Sequence, residues 1–179
     1  MLNFPNFLTI ARVISVPIFL ILLIDGLFGW ALFILVAAAV TDAIDGVLAR
    51  MLHQRTIFGS YLDPIADKLL IASSFIALAI LNLLPGWLAV IVVSRDVIIS
   101  FGFTVLVCLS VPLEIKPSMA GKMTTFFQLL TVIGALFSNW AFPIPSTMLF
   151  LTWGTALVTT LSCLQYIGRG IQILSQKKT

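Results

Sequence analysis

Residues 41–68 read TDAIDGVLARMLHQRTIFGSYLDPIADK and contain four of the seven acidic residues of the chain. Asp42 and Asp45 are three residues apart, and Asp63 and Asp67 are four apart, so each pair falls on one face of a helix. Apolar runs flank the segment on both sides, which predicts that it joins two antiparallel membrane helices. The two aspartate pairs are therefore expected at similar depth in the bundle.

This arrangement of carboxylates predicts a metal site. Four carboxylates brought together would repel one another unless cations lay between them. Oxygen donors without a neighbouring His or Cys cluster suit Mg²⁺, Mn²⁺ or Ca²⁺ rather than zinc or copper. Two divalent cations, Mg²⁺ or Mn²⁺, bridging the pairs would form the clamp used for in-line displacement at phosphorus. The predicted ligands are Asp42, Asp45, Asp63 and Asp67.

The residues between the aspartates suit a bulky anionic ligand. Gly46 and Ala49 lie one turn from the first pair and leave a bare helix surface against which a ligand can rest. Gly59 allows the segment before the second pair to approach closely. Arg50 can face a diphosphate or a carboxylate at the membrane interface.

The composition predicts an integral membrane protein. Of the 179 residues, 60% are hydrophobic and 9% are charged, which cannot supply the polar surface of a soluble domain. Apolar runs recur along the whole chain and predict an all-α fold, a single domain over residues 1–179 built as a six-helix transmembrane bundle. Residues 1–12 are predicted to form an interfacial amino-terminal segment. The predicted spans are 13–24, 30–51, 60–81, 87–109, 119–137 and 147–167.

The basic residues predict the orientation of the bundle. The net charge is +3. Along the chain, connections that contain Lys or Arg alternate with connections that contain neither. That alternation predicts both termini, and the aspartate end of the bundle, in the cytoplasm. No basic face or stripe remains outside the spans, which excludes a nucleic-acid partner. Cys108 and Cys163 lie in apolar runs as small hydrophobic residues, and His53 is expected to be a solvated loop residue.

The pattern Asp42-x2-Asp45-Gly46-x2-Ala49-Arg50-x8-Gly59-x3-Asp63-x3-Asp67 resembles, at all eight fixed positions, the signature of the CDP-alcohol phosphatidyltransferase family. The amino-terminal run Pro5-Asn6-x-Leu8-Thr9-x2-Arg12 is also similar to the start of family members. The resemblance implies a six-span core, a homodimer in the plasma (inner) membrane, and a role in phospholipid biosynthesis.

The same resemblance implies residue roles. The four aspartates would hold two metals that bind the diphosphate of CDP-diacylglycerol. Asp67 would also take the proton from the acceptor hydroxyl, which attacks phosphorus and releases CMP. The nucleotide and diphosphate site would be formed by Asn6, Thr9, Arg12, Gly46, Ala49, Arg50 and Gly59.

The acceptor is expected to contact the second half of the chain, at Arg95, Lys116, Ser118 and Lys122. Arg95, inside the fourth span, has a structural interpretation as a buried pair with Asp96 and a functional one as an acceptor contact. The two lysines either attract an anionic acceptor or simply flank a span on the cytoplasmic side.

The Ser94-Arg95-Asp96 run and the Lys116-Pro117-Ser118-x3-Lys122-x2-Thr125 run resemble the CMP-forming cardiolipin synthase branch, whose acceptor is phosphatidylglycerol. The alternative is glycerol 3-phosphate, the acceptor of phosphatidylglycerophosphate synthases. Those enzymes are similar through the first three spans and share the stretch Gly121-Lys122-x2-Thr125-x2-Gln128. Those enzymes usually have Arg-Glu and a second Arg in this span, and a phosphomonoester would ordinarily require that extra cation.

A different class of protein, a small transporter with a carboxylate relay, is the remaining hypothesis. Such sites tend to lie near the membrane midplane on broken helices. The aspartates here are expected towards the cytoplasmic ends of their helices, which favours the enzyme.

Overall fold

The computed structural model describes the backbone of residues 4–52, 57–108 and 119–176, and the side chains of residues 11–41, 68–102, 104, 119–172 and 175. Within these ranges every regular element is a helix, which confirms the predicted all-α class. The helices are α1 (Phe4–Ile24), α2 (Phe28–Leu52), α3 (Ile57–Ile80), α4 (Gly86–Cys108), α5 (Met119–Trp140) and α6 (Pro145–Gln176).

The ends of two helices differ from the predicted spans. The amino-terminal segment is not separate, because α1 runs without a break from Phe4 to Ile24 and contains Pro17. Helix α6 continues to Gln176 instead of ending at residue 167. Its 32 residues give a length of about 48 Å, which exceeds the hydrocarbon thickness of a typical bilayer.

Two tight turns at one end of the bundle use the left-handed backbone conformation. Gly26, between α1 and α2, has φ 72°, and Asn82, between α3 and α4, has φ 57°. Glycine and asparagine are the residues that adopt this conformation most readily. Both turns are therefore short and bring consecutive helices into antiparallel contact.

The six helices form a closed circuit. Helix α1 contacts α2 and α3, α3 contacts α4, α4 contacts α6, α6 contacts α5, and α5 contacts α2. A further contact between α3 and α5 crosses the circuit. As a result, α1 and α5 each contact both of the helices that carry the aspartates.

The distribution of side chains is that of a protein in lipid. Large apolar residues such as Trp30, Phe33, Phe101 and Ile171 are more than 60% exposed. The interior holds apolar residues together with polar ones, and the buried polar set is Arg12, Ser74, Arg95, Asp96, Thr124, Gln128, Thr131, Thr152, Thr155, Thr159 and Ser162. In membrane bundles polar side chains face the interior, because lipid cannot supply hydrogen-bond partners for them.

Two described segments, Met119–Trp140 and Pro145–Gln172, are long and apolar enough to cross a membrane. Three shorter apolar helical segments are Ala11–Ile24, Phe28–Thr41 and Lys68–Ile80. The six-span topology and its orientation stay predictions.

Candidate active site

The four aspartates lie on two consecutive helices, at similar distances from the ends that the connection joins. Asp42 lies ten residues before the last residue of α2, and Asp67 lies ten residues after the first residue of α3. At 1.5 Å per residue each is about 15 Å along its helix from that end. Asp45 and Asp63 lie seven and six residues from the same ends. The grouping of the two pairs at one depth stays a prediction.

Several other predicted site residues lie on helices whose side chains are not described at those positions. Asn6 and Thr9 lie in α1, Gly46, Ala49 and Arg50 in α2, and Gly59 in α3. Their side chains, like those of the four aspartates, lie outside the described residues. Lys116 and Ser118 lie between α4 and α5, outside the described residues altogether.

Arg12 is the member of the predicted nucleotide site whose surroundings are described. It lies eight residues after the first residue of α1 and is 5% exposed. Its backbone carbonyl accepts a hydrogen bond of 2.7 Å from Ser15 Oγ. Since α1 contacts both α2 and α3, this buried guanidinium belongs to the bundle interior rather than to an interfacial segment.

Lys68, the residue after Asp67, connects α3 to α4. Its Nζ donates a hydrogen bond of 2.9 Å to Ser100 Oγ. This contact sets the height of α4 relative to the aspartates, because Ser100 lies at the level of Lys68. Arg95 and Asp96 are five and four residues before Ser100, about one turn further from the Asp67 level.

Arg95 forms a buried ion pair, as its structural interpretation predicted. Arg95 NH1 donates to Asp96 Oδ1 at 2.6 Å, and NH2 donates to Ser162 Oγ on α6 at 3.1 Å. The guanidinium carbon lies 5.9 Å from the ring centroid of Tyr166. The pair therefore joins α4 to α6 and leaves no unpaired charge between them.

Lys122, the remaining predicted acceptor residue, lies three residues after the start of α5 and is exposed. Its exposed position agrees with both interpretations of the lysines. It could attract an anionic acceptor, or it could simply flank the span. The structure does not bring Lys122 into contact with Arg95 in any described interaction.

The sequence analysis assigned no role to a set of buried polar residues on α5 and α6. Thr155, Thr159 and Ser162 follow one another at intervals of four and three on α6, and all three are fully buried. Gln128 on α5 is 2% exposed. Helical spacing of hydroxyl residues in an apolar run was the available signal.

A cavity of about 410 Å³ lies at the other end of the bundle, away from the aspartates. It is lined mainly by apolar residues, including Leu84, Trp87, Met148 and Trp153. No titratable side chain lines it, so it offers no chemistry for the reaction.

Comparison with known proteins agrees with the signature. A sequence model of the family described as CDP-alcohol phosphatidyltransferase matches residues 2–161. A Mycobacterium tuberculosis protein named "Probable phosphatidylglycerophosphate synthase" is 34% identical, over 95% of this chain and 82% of its own length. The Bacillus subtilis "CDP-diacylglycerol--glycerol-3-phosphate 3-phosphatidyltransferase" is 31% identical, over 97% and 98%.

A Drosophila melanogaster protein named "Probable cardiolipin synthase (CMP-forming)" is also 34% identical, over 99% of this chain and 61% of its own length. Relatives named for two different acceptors are thus about equally similar to this chain. All of them are phosphatidyltransferases, and members of the family are membrane enzymes. The chain belongs to the CDP-alcohol phosphatidyltransferase family and is an enzyme of phospholipid biosynthesis.

Proposed function

We propose that this enzyme transfers a phosphatidyl group from CDP-diacylglycerol to phosphatidylglycerol and releases CMP, as a CMP-forming cardiolipin synthase. The observation that supports this acceptor is the ion pair of Arg95 with Asp96. A phosphomonoester such as glycerol 3-phosphate carries up to two negative charges and would favour an uncompensated cation. A phosphodiester lipid carries one, and its phosphate can stay near the interface.

The four aspartates fit two divalent cations. All four lie six to ten residues from the ends of α2 and α3 that the connection joins, and carboxylate oxygen is the donor that Mg²⁺ and Mn²⁺ prefer. Asp42, Asp45, Asp63 and Asp67 would hold the ions, which would supply charge neutralisation for the diphosphate and for the departing CMP.

The residues of the chain carry out the proton transfer and the positioning. Asp67 accepts the proton of the acceptor hydroxyl as its oxygen bonds to the phosphorus that bears diacylglycerol. The bond from that phosphorus to the bridging oxygen breaks, and the oxygen leaves with CMP. Such chemistry depends on orientation and charge stabilisation more than on covalent help.

The remaining predicted residues bind the two substrates. Gly46, Ala49 and Gly59 provide a surface without bulky side chains for the nucleotide. The polar contacts to the nucleotide and diphosphate come from Arg50 and from Asn6, Thr9 and Arg12 of α1. Arg95, Lys116, Ser118 and Lys122 form the acceptor side.

The enzyme is proposed to be a homodimer with six spans in the plasma (inner) membrane and its active site open to the cytoplasm. The exposed apolar faces of the helices support the membrane location. The distribution of Lys and Arg along the chain supports the orientation. Dimerisation rests on family resemblance.

The decisive experiment measures CMP release by the purified protein from CDP-diacylglycerol, with phosphatidylglycerol or glycerol 3-phosphate as acceptor. We expect turnover with phosphatidylglycerol that is lost in EDTA and restored by Mg²⁺ or Mn²⁺. Faster turnover with glycerol 3-phosphate would replace the proposed acceptor with the one in the name of the Bacillus relative. Absence of CMP with either acceptor and either metal would show that the enzyme uses a different alcohol.

A further inference from the structure

A group of buried polar residues lies between α4, α5 and α6. We call it the polar seam and define it as Arg95 and Asp96 of α4, Gln128 of α5, and Thr159 and Ser162 of α6. Each of the five is at least nine-tenths buried. Such groups are costly inside a membrane bundle unless each finds a partner.

The register of α5 against α6 brings Gln128 to the level of Thr159. Thr131 Oγ1 and Thr155 Oγ1 are 2.7 Å apart, and Thr124 Oγ1 lies 3.4 Å from the carbonyl oxygen of Val158. Gln128 lies between Thr124 and Thr131 on the buried face of α5. Thr159 follows Thr155 by one turn on the buried face of α6, so the antiparallel pairing sets it opposite Gln128.

Three polar atoms of the seam have no hydrogen-bond partner among the described residues. They are Arg95 Nε, Gln128 Nε2 and Thr159 Oγ1, and each is buried. Buried donors in folded proteins nearly always have a protein, water or ligand partner. The other two guanidinium nitrogens of Arg95 are held by Asp96 and Ser162, which fixes the direction of the free Nε–H.

Hydrogen bonds tie the helices around the seam to one another. Lys68, next to Asp67 in the sequence, donates to Ser100, one turn along α4 from Asp96. Arg95 donates to Ser162, one turn along α6 from Thr159. The unpartnered donors therefore lie on helices that are joined through α4 to α3, the helix that carries Asp63 and Asp67.

We propose that the polar seam binds the glycerol oxygen atoms of the acceptor other than the attacking hydroxyl. This inference rests on the proposed phosphatidyltransferase reaction. The seam offers N–H and O–H donors, which suit hydroxyl and ester oxygens. Because the charges of Arg95 and Asp96 cancel, it offers no net attraction for a dianion.

The test compares Thr159→Val with Thr159→Ser. Valine matches the shape of threonine without the hydroxyl, while serine retains it. We expect Thr159→Val to raise the KM for the acceptor about five- to tenfold, as loss of one hydrogen bond implies, and Thr159→Ser to restore it. The KM for CDP-diacylglycerol should not change in either variant. Thr160→Val is the matched control, since that exposed hydroxyl already bonds to the Ala156 carbonyl at 2.8 Å.

An acceptor lacking the non-attacking glycerol hydroxyl sharpens the test. Phosphatidyl-1,3-propanediol replaces phosphatidylglycerol, or 3-hydroxypropyl phosphate replaces glycerol 3-phosphate. We expect the missing hydroxyl to lower kcat/KM on the wild-type enzyme about five- to tenfold and to have little further effect on Thr159→Val. Gln128→Leu provides a second variant with the same expectation for acceptor KM, provided that its unfolding temperature matches the wild type.

An unchanged acceptor KM in Thr159→Val, or equal changes in both KM values, would show that the seam is a structural or hydrated element and would overturn the inference. The inference would also be overturned if Thr159→Val and the acceptor analogue lowered kcat/KM independently of each other. The assay uses whichever acceptor the wild-type enzyme consumes, and both candidates contain glycerol. Failure of phosphatidylglycerol as a substrate would therefore overturn the proposed acceptor and leave this test intact.

Discussion

The indole ring of Trp140 lies directly over Gly29. A Cβ atom at Gly29 would come within 2.6 Å of Trp140 Nε1, so the last residue of α5 packs against the backbone at the start of α2. This contact fastens the two helices together at the end of the bundle opposite the aspartates.

Gly29→Ala should therefore destabilise the protein by about 1–3 kcal/mol, because the added methyl forces the indole to move. Thermal unfolding in detergent measures the change. Gly102→Ala is the control, since nothing lies within 4 Å of a Cβ at Gly102 and a helical Gly-to-Ala change there should be neutral or stabilising. Equal stability of the two variants would contradict the close packing.

The hydroxyl pair of Thr131 and Thr155 should stabilise the α5–α6 contact. Each single change to Val is expected to lower the free energy of unfolding by about 0.5–2 kcal/mol, and the double variant by less than the sum of the two. A double-mutant cycle by thermal or denaturant unfolding measures the coupling. Thr125→Val serves as control, because Thr125 is exposed and bonds within α5 to the Gly121 carbonyl. Strict additivity would argue against the pair.

Asp96→Asn should destabilise the bundle by about 3 kcal/mol, because it leaves the buried Arg95 charge without its carboxylate. The double change of Arg95 to Gln and Asp96 to Asn should recover part of that loss, since no isolated charge remains. Ser94→Ala, at the exposed neighbouring residue, is the control. The pair would be of little structural importance if Asp96→Asn unfolded at the wild-type temperature.

Asp67→Asn should lower CMP release at least a hundredfold, because the variant loses both a proton acceptor and a carboxylate ligand. The assay is CMP formation with saturating substrates and Mg²⁺, alongside an unfolding measurement to show that the variant folds. Asp25→Asn is the control, at an exposed carboxylate between α1 and α2. Appreciable turnover by Asp67→Asn would remove the base assignment.

The orientation can be tested with single cysteines. In a variant whose two natural cysteines are replaced, we expect Asp25→Cys to react with a membrane-impermeant maleimide on intact cells. Gln172→Cys should react only after the cells are opened, because the end of α6 is predicted to lie in the cytoplasm. The reverse pattern would invert the predicted topology.

The sequence was sufficient for the features that depend on one helix at a time. Apolar runs predicted the helices, including α2 with Asp42 and Asp45 and α3 with Asp63 and Asp67. The buried pair of Arg95 and Asp96 was also anticipated, because a lone charge in an apolar span needs a neighbour.

Features that depend on how one helix meets another were not predictable. The contact of Gly29 with Trp140 and the hydroxyl pair of Thr131 and Thr155 follow from the register between helices. A chain that is apolar on nearly every face contains little information about that register, because lipid and protein interior favour similar side chains. The last turns of α6 were not predicted, because hydropathy identifies only the part of a helix that lies in lipid. It gives no signal for a polar continuation of the same helix.

The closed circuit of helices has a consequence for biosynthesis. Helices α1 to α4 emerge from the ribosome first and already contain the contacts of α1 with α2 and α3 and of α3 with α4. The circuit closes when α5 docks on α2 and α6 joins α4 to α5. The half of the bundle that contains the four aspartates can thus assemble while translation continues, but the side that carries the polar seam is completed only with the last helix. In a nascent chain, the helices with the aspartates would therefore pack before the proposed acceptor site is complete.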